Sequence, residues 1–168
     1  MTDGFKVERL SPAHDRSAFS SGNLTLDRYF RGLVTQDIRR RVSNCFVALD
    51  ATGAIAAYYT FAATSLPLGD VAPEHAKRLP RYEAFPACLL GRLAVDQRFQ
   101  GQGLGSALIV DAVARAMRTE PAIYALVVDA KDETARKFYE HLGFRRFASQ
   151  AMTLYFPISE AAQRLGMR

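Results

Sequence analysis

The chain is poor in the residues that build metal centres and disulfide scaffolds, with two cysteines and three histidines among 168 residues. Cys45 and Cys88 each sit inside an apolar, strand-like run, which suits small buried hydrophobes in a reducing compartment better than a disulfide or a metal pair. His14, His75 and His141 have no ligand spacing relative to one another or to the cysteines, so no metal is expected. No apolar run approaches the roughly 20 residues needed to span a bilayer, and the start of the chain lacks a signal-peptide core. No membrane association is expected, and the cytoplasm is the expected location. Internal repeats, low-complexity tracts and an obvious interdomain linker are also missing. At 49% hydrophobic composition, residues 1–168 are expected to fold as a single domain around one core.

Positive charge is in excess. The formal net charge is +5, and the basic residues cluster at Arg39-Arg40-Arg41, at Lys77, Arg78 and Arg81, and at Arg145-Arg146. A basic surface favours a polyanionic partner, although solvated helix faces carry such charges too.

Periodicity predicts a short strand over Phe5–Leu10 and a helix over Asn23–Arg41, with Asn23 as its N-cap. Asn44–Leu49 and Ile55–Ala63 read as a β-hairpin around Asp50-Ala51-Thr52-Gly53. Leu66–Pro86, with four prolines, reads as a long connection that breaks regular structure. Strand Leu89–Val95, helix Gly103–Thr119, strand Ile123–Asp129 and helix Glu133–Leu142 then form a βαβ pattern. The first of these helices should bury Leu104, Ala107, Leu108, Ala112, Val113 and Ala116 and turn Asp111, Arg115 and Arg118 to water. Asp132 is the expected N-cap of the second and Gly143 its stop. Strands Phe144–Ala148 and Met152–Ile158 close the chain. The expected fold class is α/β, a mixed sheet that is antiparallel in its N-terminal part, has a parallel pair in its second half, and is flanked by about four helices.

The segment Arg98-Phe99-Gln100-Gly101-Gln102-Gly103-Leu104-Gly105 joins an apolar strand to a helix. Glycines there let the backbone turn sharply and several N–H groups face one concavity, while the helix start adds unpaired N–H groups and the positive end of its dipole. A pyrophosphate is the natural guest. A Walker A loop would need Lys-Ser or Lys-Thr after its last glycine, and here Ser106-Ala107 follows Gly105. A dinucleotide fingerprint would need Gly-x-Gly-x-x-Gly directly after the strand. Here position 106 is Ser, five residues separate Val95 from Gly101, and the acidic Asp129 comes too late.

Arg98-Phe99-Gln100-Gly101-Gln102-Gly103 fits the remaining pattern, Arg/Gln-x-x-Gly-x-Gly/Ala. On these residues the chain resembles the GCN5-related N-acetyltransferase (GNAT) family, in which that loop and the following helix start hold the pyrophosphate of acetyl-CoA. Gly91-Arg92-Leu93-Ala94-Val95 is similar to the family's central strand, and Asp132 to Phe144 to its closing signature, a helix ending in Tyr-x-x-x-Gly-Phe. The resemblance implies a GNAT fold and acetyl-CoA as co-substrate. It assigns cofactor binding to Leu93, Ala94, Val95, Arg98, Gln100, Gly101, Gln102, Gly103, Leu104, Gly105, Ser106, Ala135 and Phe138, the last an aromatic that also suits the core. Val95 supplies a backbone N–H to the thioester oxygen, and Tyr139, four residues after Ala135, is the acid for the departing thiolate. A phenol near pKa 10 gives its proton slightly uphill to a thiolate near 8.5, so hydrogen-bond stabilisation matters more than full transfer. No Glu or His is placed by sequence as a general base.

Within the family, Phe19 to Phe30, Ser43 to Ala48, Tyr58-Tyr59 and Leu90 to Asp96 are similar to the toxins of type II toxin-antitoxin pairs that acetylate the α-amine of aminoacyl-tRNA. Ser20 replaces the Cys or Asp usual before Ser-Gly-Asn. The resemblance implies aminoacyl-tRNA as substrate, translation inhibition, a ribbon-helix-helix antitoxin and a homodimer. Candidate tRNA contacts are Arg39, Arg40, Arg41, Lys77, Arg78, Arg92, Arg145 and Arg146. Acetylation of a protein N-terminus, a lysine or a small amine is the alternative, and a non-catalytic acetyl-CoA-binding module is the second.

Overall fold

The computed structural model describes residues 4–167. It falls into two compact units, one made of residues up to Ala62 with Gly91–Asp111, the other of Ala63–Leu90 with Ala112 onward. The division passes inside strand β3 (Ile55–Pro67) and inside helix α4 (Leu104–Arg118).

In the first unit, β1 (Lys6–Arg9) pairs antiparallel with β2 (Asn44–Leu49), β2 with β3, and β3 with β5 (Leu93–Val95). The hairpin turn forms as expected because the Asp50 Oδ1 accepts the N–H groups of Thr52 and Ala54, each at 2.9 Å, and Gly53 takes φ +86°. The helix expected over Asn23–Arg41 runs as α1 (Leu24–Arg28), a π-helical turn (Tyr29–Leu33) and α2 (Val34–Arg39). Asn23 caps it, its side chain accepting the Leu26 N–H at 3.0 Å. The π turn stands where Tyr29 and Phe30 pack inward, Phe30 stacking on Tyr58 at 4.2 Å between ring centroids. The hydrophobic stripe therefore continues while the hydrogen-bond ladder slips by one residue. Cys45 is fully buried in the same cluster, and burial pushes its thiol up to about 12.

In the second unit, β4 (Ala84–Leu90) and β6 (Ala125–Asp129) run parallel, β6 and β8 (Thr153–Pro157) antiparallel, and β7 (Arg145–Arg146) pairs with β8. The mixed α/β class read from the sequence, with its single kind of parallel pairing in the second half, is the class observed. Its helices are α3 (Pro73–Ala76), the end of α4, α5 (Glu133–Leu142) and α6 (Ile158–Arg164).

Boundaries and buried faces differ from expectation in several places, and of the strand expected over Phe144–Ala148 only β7, Arg145–Arg146, forms. The Leu66–Pro86 connection is shorter, because β3 runs on to Pro67 and Pro86 lies inside β4. The strand expected over Leu89–Val95 breaks at Gly91-Arg92 into β4 and β5. α6 starts at Ile158, where an aromatic and β-branched run read as strand; Pro157 at φ −57° begins the helix instead. On α4, Ile109 is buried while Asp111 is only half-exposed, accepting the Tyr59 phenol at 2.6 Å.

Gly143 ends α5 at φ +122°, and a Cβ there would stand 2.7 Å from Phe156 Cζ and 3.0 Å from Arg164 Cδ. Gly143→Ala is expected to cost about 2–3 kcal/mol, a fall of about 5–10 °C in Tm by scanning calorimetry. An unchanged Tm would show that Phe156 yields without cost.

Candidate active site

The glycine loop lies in the first unit. Asp96 starts it by capping a 3-10 turn, Gln97–Phe99. Buried to 1% exposure, its carboxylate accepts hydrogen bonds from the Ser20 N–H (3.0 Å) and from the Arg98 N–H (2.9 Å), Nε (3.0 Å) and Nη2 (3.3 Å). Burial acts to raise the Asp96 pKa, but these donors, Arg98 foremost, hold it below the ordinary value. The Arg98 side chain is thus turned back onto the loop's own base. Gln100 is also committed, its Nε2 donating to the carbonyls of Ser21 (3.1 Å) and Val95 (3.0 Å).

What the loop presents outward is backbone. Gly101 and Gly103 take φ +82° and +80°, and a Cβ at either would meet nothing within 4 Å. Gly101, Gln102 and Gly103 are exposed, and Leu104 is buried. The Ala107 N–H donates to the Gly103 carbonyl at 3.1 Å. The N–H groups of Leu104, Gly105 and Ser106 therefore precede the α4 ladder and lie at its positive end. This arrangement can receive an anion on backbone donors while Arg98 and Gln100 brace the turn.

β5 extends the site. The pairs Thr60–Arg92 and Ala56–Asp96 each carry a ladder bond, Thr60 N–H to Arg92 O at 3.0 Å and Asp96 N–H to Ala56 O at 2.8 Å. Antiparallel alternation makes Tyr58–Ala94 the bonded pair between them and aims the N–H groups of Leu93 and Val95 away from β3. The Val95 N–H is thus outside that ladder, as an oxyanion donor must be.

Tyr139, Ala135 and Phe138 lie in the second unit on α5. Asp132 caps this helix through the Ala135 N–H at 2.8 Å, and the Phe144 N–H donates to the Tyr139 carbonyl at 3.1 Å past the Gly143 stop. Ala135 and Phe138 are half-buried. Tyr139 is 5% exposed, with the rings of Phe138 and Phe144 at 5.3 and 5.4 Å. Burial, seconded by the Asp129 charge, pushes its phenol pKa well above the ordinary tyrosine value. Its hydroxyl has no hydrogen-bond partner among the described residues.

The basic candidates divide between the units. Arg39, Arg40 and Arg41 are exposed in the first, and Arg41 takes φ +61°. In the second, Lys77 and Arg78 are exposed, Arg145 pairs with Glu74, and Arg146 pairs with Glu140 at 2.8 Å. Arg78 and Arg145, far apart in sequence, line one cavity of about 530 Å³ together with His75 and Glu160. Sequence reasoning missed Asp96, although Asp two residues before a turn's N–H is a local capping signal. It also missed the partners of Arg92, whose guanidinium lies 3.5 Å over the Tyr29 ring, because nothing local links residues so distant in the chain. Among the described residues no group of three or more His, Cys, Asp or Glu is placed to hold a metal, and no helix is long and apolar enough to cross a membrane.

Residues 41–146 match the family model described as an acetyltransferase (GNAT) domain. The chain is 33% identical over 160 residues to the tRNA-acetylating toxin of Mycobacterium tuberculosis strain H37Rv, covering 94% of this chain and 95% of that protein. In fold it is similar to the solved structure of AtaT complexed with acetyl-methionyl-tRNAfMet, with a TM-score of 0.85, 24% identity and coverage of 96% of this chain and 99% of that one. It is likewise similar to a tyrosine-to-phenylalanine mutant of the AtaT toxin bound to the C-terminus of the antitoxin AtaR and acetyl-CoA, with a TM-score of 0.78, 23% identity and coverage of 97% and 99%.

Proposed function

The chain belongs to the GNAT family of acetyltransferases, and from that premise we propose that it acetylates the α-amino group of aminoacyl-tRNA as the toxin of a type II toxin-antitoxin pair. The observation that carries this reading is the 33% identity, spread over 94% of the chain, with a tRNA-acetylating toxin. The family match draws residues from both units, in keeping with one catalytic domain over 1–168.

Acetyl-CoA supplies the activated acyl group. The open positive-φ glycines and the helix-start N–H groups fit its pyrophosphate: Gly101 to Ser106 hold it, while Arg98 and Gln100 keep the loop in shape. With Ala94 held in the ladder between them, Leu93 and Val95 turn their N–H groups away from β3 toward the pantetheine arm, and the Val95 N–H stabilises the negative charge that develops on the thioester oxygen. Ala135 leaves room beside α5, Phe138 lines it, and Tyr139 donates a hydrogen bond to the departing sulfur. An aminoacyl ester's α-amine is far less basic than a lysine amine near 10.4, so much of it is neutral at pH 7 and no strong base is required.

Arg39, Arg40, Arg41, Lys77, Arg78 and Arg92 are assigned to tRNA phosphates, with salt-dependent affinity, whereas Arg145 and Arg146 are already engaged by Glu74 and Glu140. The reading further implies a ribbon-helix-helix antitoxin, a homodimer, and a cytoplasmic site of action where charged tRNA is found. Purified protein given labelled acetyl-CoA should label charged tRNA and leave free amino acids and polyamines unlabelled. Label on small amines alone would overturn the toxin reading.

A further inference from the structure

Arg92 sits in the two-residue break between β4 and β5, and its backbone is clamped on both sides by the buried Thr60. The Arg92 N–H donates to Thr60 Oγ1 at 3.0 Å, and its carbonyl accepts the Thr60 N–H at 3.0 Å. The guanidinium is fixed as well, with Cζ 3.5 Å from the centroid of the Tyr29 ring. Tyr29 is itself held: it is 5% exposed, opens the π-helical turn, and donates its hydroxyl to Asp37 Oδ2 at 2.6 Å.

This stack solves a charge problem in an unusual way. A half-buried arginine is ordinarily neutralised by a carboxylate, which consumes its N–H fork. Among the described residues no carboxylate pairs with Arg92. The ring face of Tyr29 compensates the charge instead, and the phenol's hydrogen bond to the Asp37 carboxylate makes that face more negative. The in-plane N–H donors are left unspent, on a side chain held against the Tyr29 ring. A rigid fork of that kind matches a phosphate, which takes two parallel hydrogen bonds in the guanidinium plane. The π-helical turn under Tyr29 is the kind of local irregularity found at functional sites.

We propose that Arg92, stacked on Tyr29 and braced by Asp37, is the phosphodiester grip for the acceptor end of the tRNA. The assignment rests on the aminoacyl-tRNA reading above and deepens it. Arg92 leads directly into β5, whose Val95 N–H lies outside the β3 ladder and is assigned above to the thioester oxygen, so a phosphate held there sets the register of the single-stranded end that carries the amine. Tyr29 and Asp37 are positioning residues that act through Arg92.

The test is steady-state acetylation of aminoacyl-tRNA at several salt concentrations by wild type, Arg92→Ala, Arg92→Lys and Tyr29→Leu. Arg92→Ala should raise KM for aminoacyl-tRNA about tenfold or more, leave KM for acetyl-CoA unchanged, and make the slope of log(kcat/KM) against log[salt] shallower by about 0.7, the loss of one single-strand phosphate contact. Arg92→Lys should recover the salt slope but not the full affinity, since it restores charge without the fork. Tyr29→Leu should raise the same KM while leaving the slope near wild type. An unchanged KM in Arg92→Ala, or a raised KM with the wild-type slope, overturns the assignment. Absence of tRNA acetylation by the wild-type protein overturns the underlying reading instead.

Discussion

Tyr139→Phe should lose about 10²- to 10⁴-fold in acetyl transfer while binding acetyl-CoA as wild type does. The substitution removes only the hydroxyl, which has no hydrogen-bond partner among the described residues, and keeps the ring packed beside Phe138 and Phe144. Tm should therefore move by no more than about 1 °C, which separates a chemical role from a structural one. The pH profile makes the same point. Burial raises the phenol's pKa above its ordinary value near 10, so Tyr139 stays protonated and able to donate throughout the physiological range. A folded-state pKa above the unfolded one contributes stability that is complete below the unfolded value and is lost only as pH rises through the folded one. Neither activity nor stability should show a Tyr139 titration below about pH 10. Acetyl transfer by Tyr139→Phe at the wild-type rate, measured with labelled acetyl-CoA, would remove this residue from the mechanism.

The second large effect is expected at the loop. Gly103→Asp should weaken acetyl-CoA binding at least 100-fold by isothermal calorimetry, with the fold intact. A side chain there meets nothing within 4 Å, so the cost in the fold is only that of φ +80° in a non-glycine, about 1 kcal/mol for a residue that tolerates that region. The loss arises from charge and competition. A carboxylate immediately before Leu104 accepts the free helix-start N–H groups, as an N-cap does, and stands against the incoming pyrophosphate. Gly103→Ala carries the same backbone strain without the charge and should keep most of the affinity. Equal affinity in Gly103→Asp and wild type would refute the loop as the pyrophosphate site.

The two units differ in how much of their chemistry could be read in advance. Asn23, Asp50, Asp132 and Gly143 act on backbone groups within a few residues, so their caps and turns were legible from neighbouring sequence. The glycine loop was legible for the same reason: a strand, three glycines and an amphipathic helix announce a phosphate cradle locally. The inward turn of Gln100 was not, because it depends on Ser21, which is distant in the chain. The resemblance assigned Arg98 and Gln100 to cofactor binding; their side chains reach Asp96 and the carbonyls of Ser21 and Val95.

Sequence alone determined the fold class, the glycine loop ahead of a helix, the helix carrying Tyr139 and the excess of positive charge, because each is encoded by residue type and short-range spacing. Only the tertiary structure decided which cations are already spent and which remain available. It pairs Arg145 with Glu74 and Arg146 with Glu140, turns Arg98 onto Asp96, and leaves Arg92 stacked on Tyr29 with its donors free. A charge written in the sequence has the same sign everywhere, but its availability to a ligand is a property of the groups that folding brings within a few ångströms of it.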